Sequence, residues 1–125
     1  MELKVLWQLL IVQRVAEYID QYLPEIYYVN SEPGCVDIMA SGVSKWRGIK
    51  ILAESLNIAH EDILTVGNYY NDIDMLQHAG VGIAVANSLP EVKDVADFVT
   101  EYDNNHDAVA EIISKMLHHE YDMTK

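Results

Sequence analysis

The sequence holds 125 residues, half of them hydrophobic and 22% charged. That length fits one domain or parts of two small ones, and that composition excludes general disorder. Lys and Arg number 8 against 20 Asp and Glu, a formal net charge of −12, which repels phosphate backbones and anionic membrane surfaces, so neither nucleic acid nor a membrane is expected as a partner.

Cys35 is the single cysteine. It leaves no intramolecular disulfide framework and no thiol-rich zinc site, and it fits a reducing, cytoplasmic setting. The apolar stretch from Val5 to Val12 is far shorter than the ~20 residues of a membrane span. No small-residue cleavage site follows it, so it reads as buried structure rather than a signal peptide.

In chain order, residues 3–7 read as a short strand. A helical stripe follows at Ile11, Val15, Ile19 and Tyr22 and stops before Pro24. Residues 26–29 and 35–39 read as two strands around the turn Ser31-Glu32-Pro33-Gly34, a hairpin. The first forty residues are therefore β-α-β-β. Beyond Gly42, Ser44 can cap a helix with the stripe Ile49, Leu52, Ala53 and Leu56. Residues 63–66 form a continuous apolar run, as in a strand covered on both faces. A helix over 71–78 stops at Gly80, and a second buried strand covers 81–86. Ser88-Leu89-Pro90-Glu91 joins a capping box to a proline in the first helical turn. A short strand at 97–100 and an amphipathic helix at 106–118, with the stripe Val109, Ile112, Ile113, Met116 and Leu117, complete the series. The tail 118–125 is polar and expected to fray. Residues 43–118 thus alternate helix and strand, which predicts a parallel sheet with helices on its faces.

Chemistry in such sheets gathers at the carboxyl ends of the strands. Gly67-Asn68-Tyr69-Tyr70-Asn71-Asp72 stands at such an end. Its glycine permits a sharp turn, and Asn68, Asn71 and Asp72 bring oxygens of the kind Mg²⁺ accepts. The same residues equally suit a turn plus a helix cap. Lys45 opens a helix, where a cation opposes the helix dipole; it suits a phosphoryl oxygen or a plain surface lysine. His60, His78 and His106 are scattered and read as surface residues. Asp72 and Asp74 lie on different sides of their helix, which argues against a two-carboxylate clamp. Gly80-Val81-Gly82 precedes a strand instead of following one, so a dinucleotide loop is rejected.

Taken together, Gly42-Val43-Ser44-Lys45, the run from Gly67 to Leu76 and the run from Ala79 to Asn87 resemble the haloacid dehalogenase (HAD) superfamily. Within it they resemble the Cof-type sugar-phosphate phosphatases, and the resemblance runs through residues 36–115. It implies an α/β fold, a HAD-like (Rossmann-like) three-layer α/β/α parallel sheet. Residues 42–125 are similar to the C-terminal part of that core, and residues 1–41 to the β-α-β-β end of an α+β cap. The implied chemistry is Mg²⁺-assisted phosphoryl transfer from a phosphorylated small molecule to an aspartate. By resemblance, Lys45 is catalytic and binds phosphate, Asn71 and Asn87 bind phosphate, and Asp72 and Asn68 hold the metal.

Two departures qualify that expectation. The family's Asp-x-Asp-Gly-Thr nucleophile motif, and the Ser/Thr motif after it, do not occur in these 125 residues. Asn68 stands where the family's metal motif has an acid. Both strike at positioning and charge neutralisation, on which phosphoryl transfer depends. The chain is therefore expected to be the inactive C-terminal part of a Cof-like phosphatase. The alternatives are a non-catalytic interaction module and one half of a split enzyme. In the family the nucleophile strand lies beside the strand ending at Gly67. Without it each buried polar group on that edge costs ~1–3 kcal/mol, so a homodimer covering the edge is expected.

Overall fold

The computed structural model describes residues 3–121, with side chains from Gln8 onward. The chain divides into two compact units, Met1–Val43 and Ser44–Lys125.

The first unit is a helix followed by a hairpin. Helix α1 spans Leu3–Tyr22, strand β1 Ile26–Glu32 and strand β2 Cys35–Ala40. The strand expected at residues 3–7 is instead the opening of α1, so this unit is α-β-β rather than β-α-β-β. A short apolar run has no periodicity of its own to separate strand from helix. No Gly, Pro or turn-forming residue lies between Leu3 and Ile19 to end the helix that begins there. It ends before Pro24, which cannot continue it. Of its predicted stripe, Ile19 is buried, while Ile11 and Tyr22 are each 58% exposed. Strands β1 and β2 pair antiparallel with Tyr28 opposite Ile38. Gly34 closes the turn at φ +77°, a conformation that favours glycine.

The second unit carries the alternation. Helix α2 spans Lys45–Leu56, β3 Leu64–Gly67, α3 Ile73–His78, β4 Val81–Ala84, α4 Pro90–Val95, β5 Phe98–Val99 and α5 Ala108–Leu117. Two 3₁₀ turns, His60–Asp62 and Tyr70–Asp72, precede β3 and α3. The sheet is parallel, in the order β3-β4-β5. Ser44 caps α2 as expected: its hydroxyl oxygen accepts the Arg47 N–H at 3.1 Å. At α4 the capping box does not form. Leu89, not Ser88, is the residue before the first turn, and the buried Ser88 hydroxyl instead donates to the Gly67 carbonyl at 3.2 Å.

The alternation of β4 sorts the helices into layers. Val81 and Ile83 pack with Ile112 of α5, flanked by Leu64, Val66 and Phe98 of the neighbouring strands. Ala84, from the opposite face, packs with Leu76 of α3 and Val92 of α4. One helix thus covers one face and two cover the other, an α/β/α arrangement. Leu76, Val81, Ile83 and Val92 are wholly buried, each worth roughly 1.5–3 kcal/mol of hydrophobic stabilisation. Other apolar faces lack cover among the described residues. Leu52 and Leu56 of α2 and Val109, Ile113 and Leu117 of α5 are all more than half exposed. Only Ala53 of the α2 stripe and Ile112 of the α5 stripe are buried. The tail is less loose than expected at Tyr121, whose ring lies 4.8 Å from Phe98; residues 122–125 lie outside the described residues.

Backbone crowding sets where glycine is required. A Cβ on Gly82 would stand 2.2 Å from the Leu76 carbonyl oxygen, whereas one on Gly48, within α2, meets nothing within 4 Å. We expect Gly82→Ala to cost about 1–3 kcal/mol or more through overpacking, and Gly48→Ala to gain about 0.5–1 kcal/mol. Urea unfolding midpoints of the two variants check both signs.

Candidate active site

Strand β3 delivers the chain to the site. After Gly67 the backbone turns through Asn68 and Tyr69 into the 3₁₀ turn that ends at Asp72. Asp72 then folds back over the strand end. A Cβ on Gly67 would lie 2.4 Å from the Asp72 Cβ, so this approach demands glycine.

The Asp72 carboxylate is 4% exposed. Its Oδ2 accepts the backbone N–H groups of Asn68 at 2.8 Å and Tyr69 at 3.2 Å. Its Oδ1 accepts from Lys45 Nζ at 2.5 Å. A buried carboxylate needs such partners, and charge-assisted bonds of this kind are the strong ones. The Lys45 side chain remains 49% exposed, so its ammonium is held by Asp72 yet open to solvent and to an anion. Trp46, the next residue, is buried against Met75 and Ala79 of α3, which fixes the first turn of α2 beside the helix that follows Asp72. His78 is exposed as expected while His60 is half-buried, and their rings lie 5.6 Å and 5.1 Å from that of Trp46.

A cavity of about 290 Å³ opens here, lined by Lys45, Gly67, Asn68 and Asp72 together with Val66, Val109 and Asn104. Lys45, Asn68 and Asp72 are thus brought together. Asn71 is half-buried and is not part of the lining, and its side chain makes no hydrogen bond among the described residues. Asn87, exposed on the loop after β4, is not part of the lining either. Its amide is engaged by Asn104, which does line the cavity. Asp74 lies apart, paired with His78 at 3.1 Å, and Tyr70 donates its hydroxyl to Glu91 at 3.2 Å.

These residues do not form a Mg²⁺ site by themselves. Mg²⁺ is held by carboxylates, waters and phosphate oxygens. Here the cavity offers one carboxylate, already bonded through both oxygens, and the neutral amide of Asn68. Among the described residues no three acidic, histidine or cysteine side chains converge on a metal position.

The loop between β5 and α5 bears Asn104 and is pinned from both ends. Glu111 of α5 accepts the N–H groups of Glu101 and Tyr102 at 2.9–3.1 Å and the Lys115 ammonium at 2.7 Å. Asp103 accepts the Asn105 N–H at 2.8 Å and a His106 ring nitrogen at 2.7 Å. Those bonds, the Asn105 N–H foremost, hold the Asp103 carboxyl below its ordinary range. Sequence reading missed Asn104 because an isolated loop asparagine carries no periodic or motif signal.

Residues 8–113 match the family of haloacid dehalogenase-like hydrolases. The 5-amino-6-(5-phospho-D-ribitylamino)uracil phosphatase YcsE of Bacillus subtilis is 34% identical over 89 residues, which are 71% of this chain and 35% of YcsE. A haloacid dehalogenase-like hydrolase from B. subtilis superposes with a TM-score of 0.73 at 30% identity, over 82% of this chain and 36% of that one. BT1666 from Bacteroides thetaiotaomicron, among the phosphatases of the superfamily, superposes with a TM-score of 0.68 at 29% identity, over 81% and 38%. The chain belongs to the haloacid dehalogenase-like hydrolase family, in its Cof-type branch. It spans 29% to 39% of the length of three curated relatives it matches. No described helix is long and apolar enough to cross a membrane.

Burial opposes ionisation of Glu111, but the Lys115 ammonium and the two loop N–H groups outweigh it and hold the carboxyl below its ordinary value of 4.5. A lowered folded value contributes stability above pH 4.5 that is lost as pH falls through that lowered value. We expect Glu111→Gln to lose about 1–2 kcal/mol at neutral pH and to flatten the acid limb of stability. Thermal midpoints measured from neutral to acid pH test this.

Proposed function

We propose that this chain supplies the lysine-and-acid half of a cytoplasmic, Cof-type phosphate monoester hydrolase, and that the attacking aspartate comes from polypeptide outside these 125 residues. The observation that carries the proposal is the Lys45–Asp72 pair at the carboxyl end of a buried parallel strand, facing an open cavity. Lys45 neutralises the charge of a bound phosphoryl group, and Asp72 keeps its ammonium aimed there. Such preorganised charge is the main contribution a protein makes to phosphoryl transfer. Asn68 and Asp72 take the metal side of the site. Their single charge makes Mg²⁺ binding weak until further carboxylates arrive with the nucleophile. The substrate is a phosphorylated small molecule.

The test is hydrolysis of p-nitrophenyl phosphate with Mg²⁺. The chain alone should not turn over. Mixing with an Asp-x-Asp-Gly-Thr half from a Cof-type relative should restore activity. Asn68→Asp should raise the restored rate, and Lys45→Ala should lower it about 10²–10³-fold. Turnover by the purified chain alone, undiminished by Lys45→Ala, would sink the proposal.

A second reading is a non-catalytic module that pairs with its own copy. It is favoured by β3, which among the described residues has a strand neighbour on one side only, and by the exposed Val109, Ile113 and Leu117 of α5. An open strand edge beside apolar side chains invites a partner. Two chains of charge −12 repel each other at low ionic strength, and salt screens that repulsion. Sedimentation equilibrium should therefore give a mass that rises toward the dimer as salt increases; a monomer at all salt concentrations refutes self-association.

A further inference from the structure

We infer that Asn104 is a phosphate-contacting residue of this site and that Asn87 acts through it, as a positioning residue. The inference rests on the phosphatase reading above and goes beyond it, since the family resemblance points to Asn87 itself.

The two amides hold each other in one orientation. The backbone N–H of Asn104 donates to Asn87 Oδ1 at 3.3 Å. A backbone N–H needs an acceptor, so the atom facing it is the Asn87 oxygen, not its nitrogen. The Asn87 Nδ2 is then fixed on the other side, where it donates to Asn104 Oδ1 at 2.7 Å. That bond in turn commits the Asn104 oxygen. What remains on Asn104 is its amino group, which makes no hydrogen bond among the described residues. Its residue lines the same cavity as Lys45 and Asp72. A phosphoryl group offers only acceptor oxygens, so free amide N–H donors on a residue that shares a cavity with an ammonium are the matching chemistry.

The surrounding loop holds this donor in place. The Ala86 N–H donates to the Thr100 hydroxyl oxygen at 3.1 Å and to the Tyr102 carbonyl at 3.2 Å. The Thr100 hydroxyl in turn donates to the Tyr102 carbonyl at 2.6 Å. Glu111 secures the next stretch of loop. Asn87, by contrast, has its oxygen and one N–H engaged by Asn104 and no part in the lining.

The experiment is an NMR titration of the ¹⁵N-labelled chain with inorganic phosphate at constant ionic strength, comparing Lys45→Ala, Asn104→Ala, Asn87→Asp and the double variant. In the native chain the Asn104 side-chain amide signal should move with added phosphate. Lys45→Ala and Asn104→Ala should each weaken binding about tenfold or more. Asn87→Asp is the diagnostic change. Its carboxylate still accepts the Asn104 N–H but cannot donate, so the Asn104 amide must turn its nitrogen toward residue 87 and present oxygen to the cavity. Binding should fall at least as far as in Asn104→Ala, while the unfolding midpoint stays close to native. Adding Asn87→Asp to Asn104→Ala should cost little more. Loss of binding in Lys45→Ala with native affinity in Asn104→Ala overturns this inference and leaves the phosphatase reading standing. No phosphate response in the native chain overturns that reading, and this inference with it.

Discussion

Asp72 carries a full charge at a position almost closed to water. Leaving such a buried group short of a partner costs on the order of 1–3 kcal/mol. Its three donors therefore act as constraints on everything around it. Two of them, the N–H groups of Asn68 and Tyr69, fix the turn that leaves β3. The third, Lys45, ties the start of α2 to that turn across 27 residues of chain. Gly67 must lack a side chain for the carboxylate to reach back at all. Ser44 must cap α2 so that Lys45 leaves the helix at its first residue. Stability and site geometry rest on the same atoms here.

The sequence made the parallel unit legible because its elements announce themselves locally. Apolar strands of four residues, a serine cap and glycines at strand ends each have a short-range physical cause. The opening helix was misread for the opposite reason: Val5 to Leu10 is almost wholly apolar and shows no period. Ser88 was misassigned because its side chain is oriented by a tertiary bond to the Gly67 carbonyl, distant in sequence, and the helix opens one residue later. The helical stripes on α2 and α5 were correctly seen as apolar, yet most of their members are exposed. Periodicity tells which face wants burial, not whether anything covers it.

The site was half legible. Lys45, Asn68 and Asp72 lie on motif segments and do converge on one cavity. Asn71 and Asn87 lie on the same segments and do not line it. The residue that does, Asn104, sits on a loop whose shape depends on Glu111 and Asn87, from two other elements. Nothing in a linear reading signals that dependence, because each bond spans between 9 and 17 residues. Two of the chain's eight Lys and Arg residues hold positions in this arrangement, Lys45 at the cavity and Lys115 in the α5 staple.

Trp46 gives this arrangement an optical handle. It is one of two tryptophans in the sequence, lies against the rings of His60 and His78, and is bonded directly to the lysine that grips Asp72. Its emission should report on the environment of that first turn. With the other tryptophan, Trp7, replaced by phenylalanine, an indole one peptide link from the ammonium lets anion capture be followed by light without any attached label.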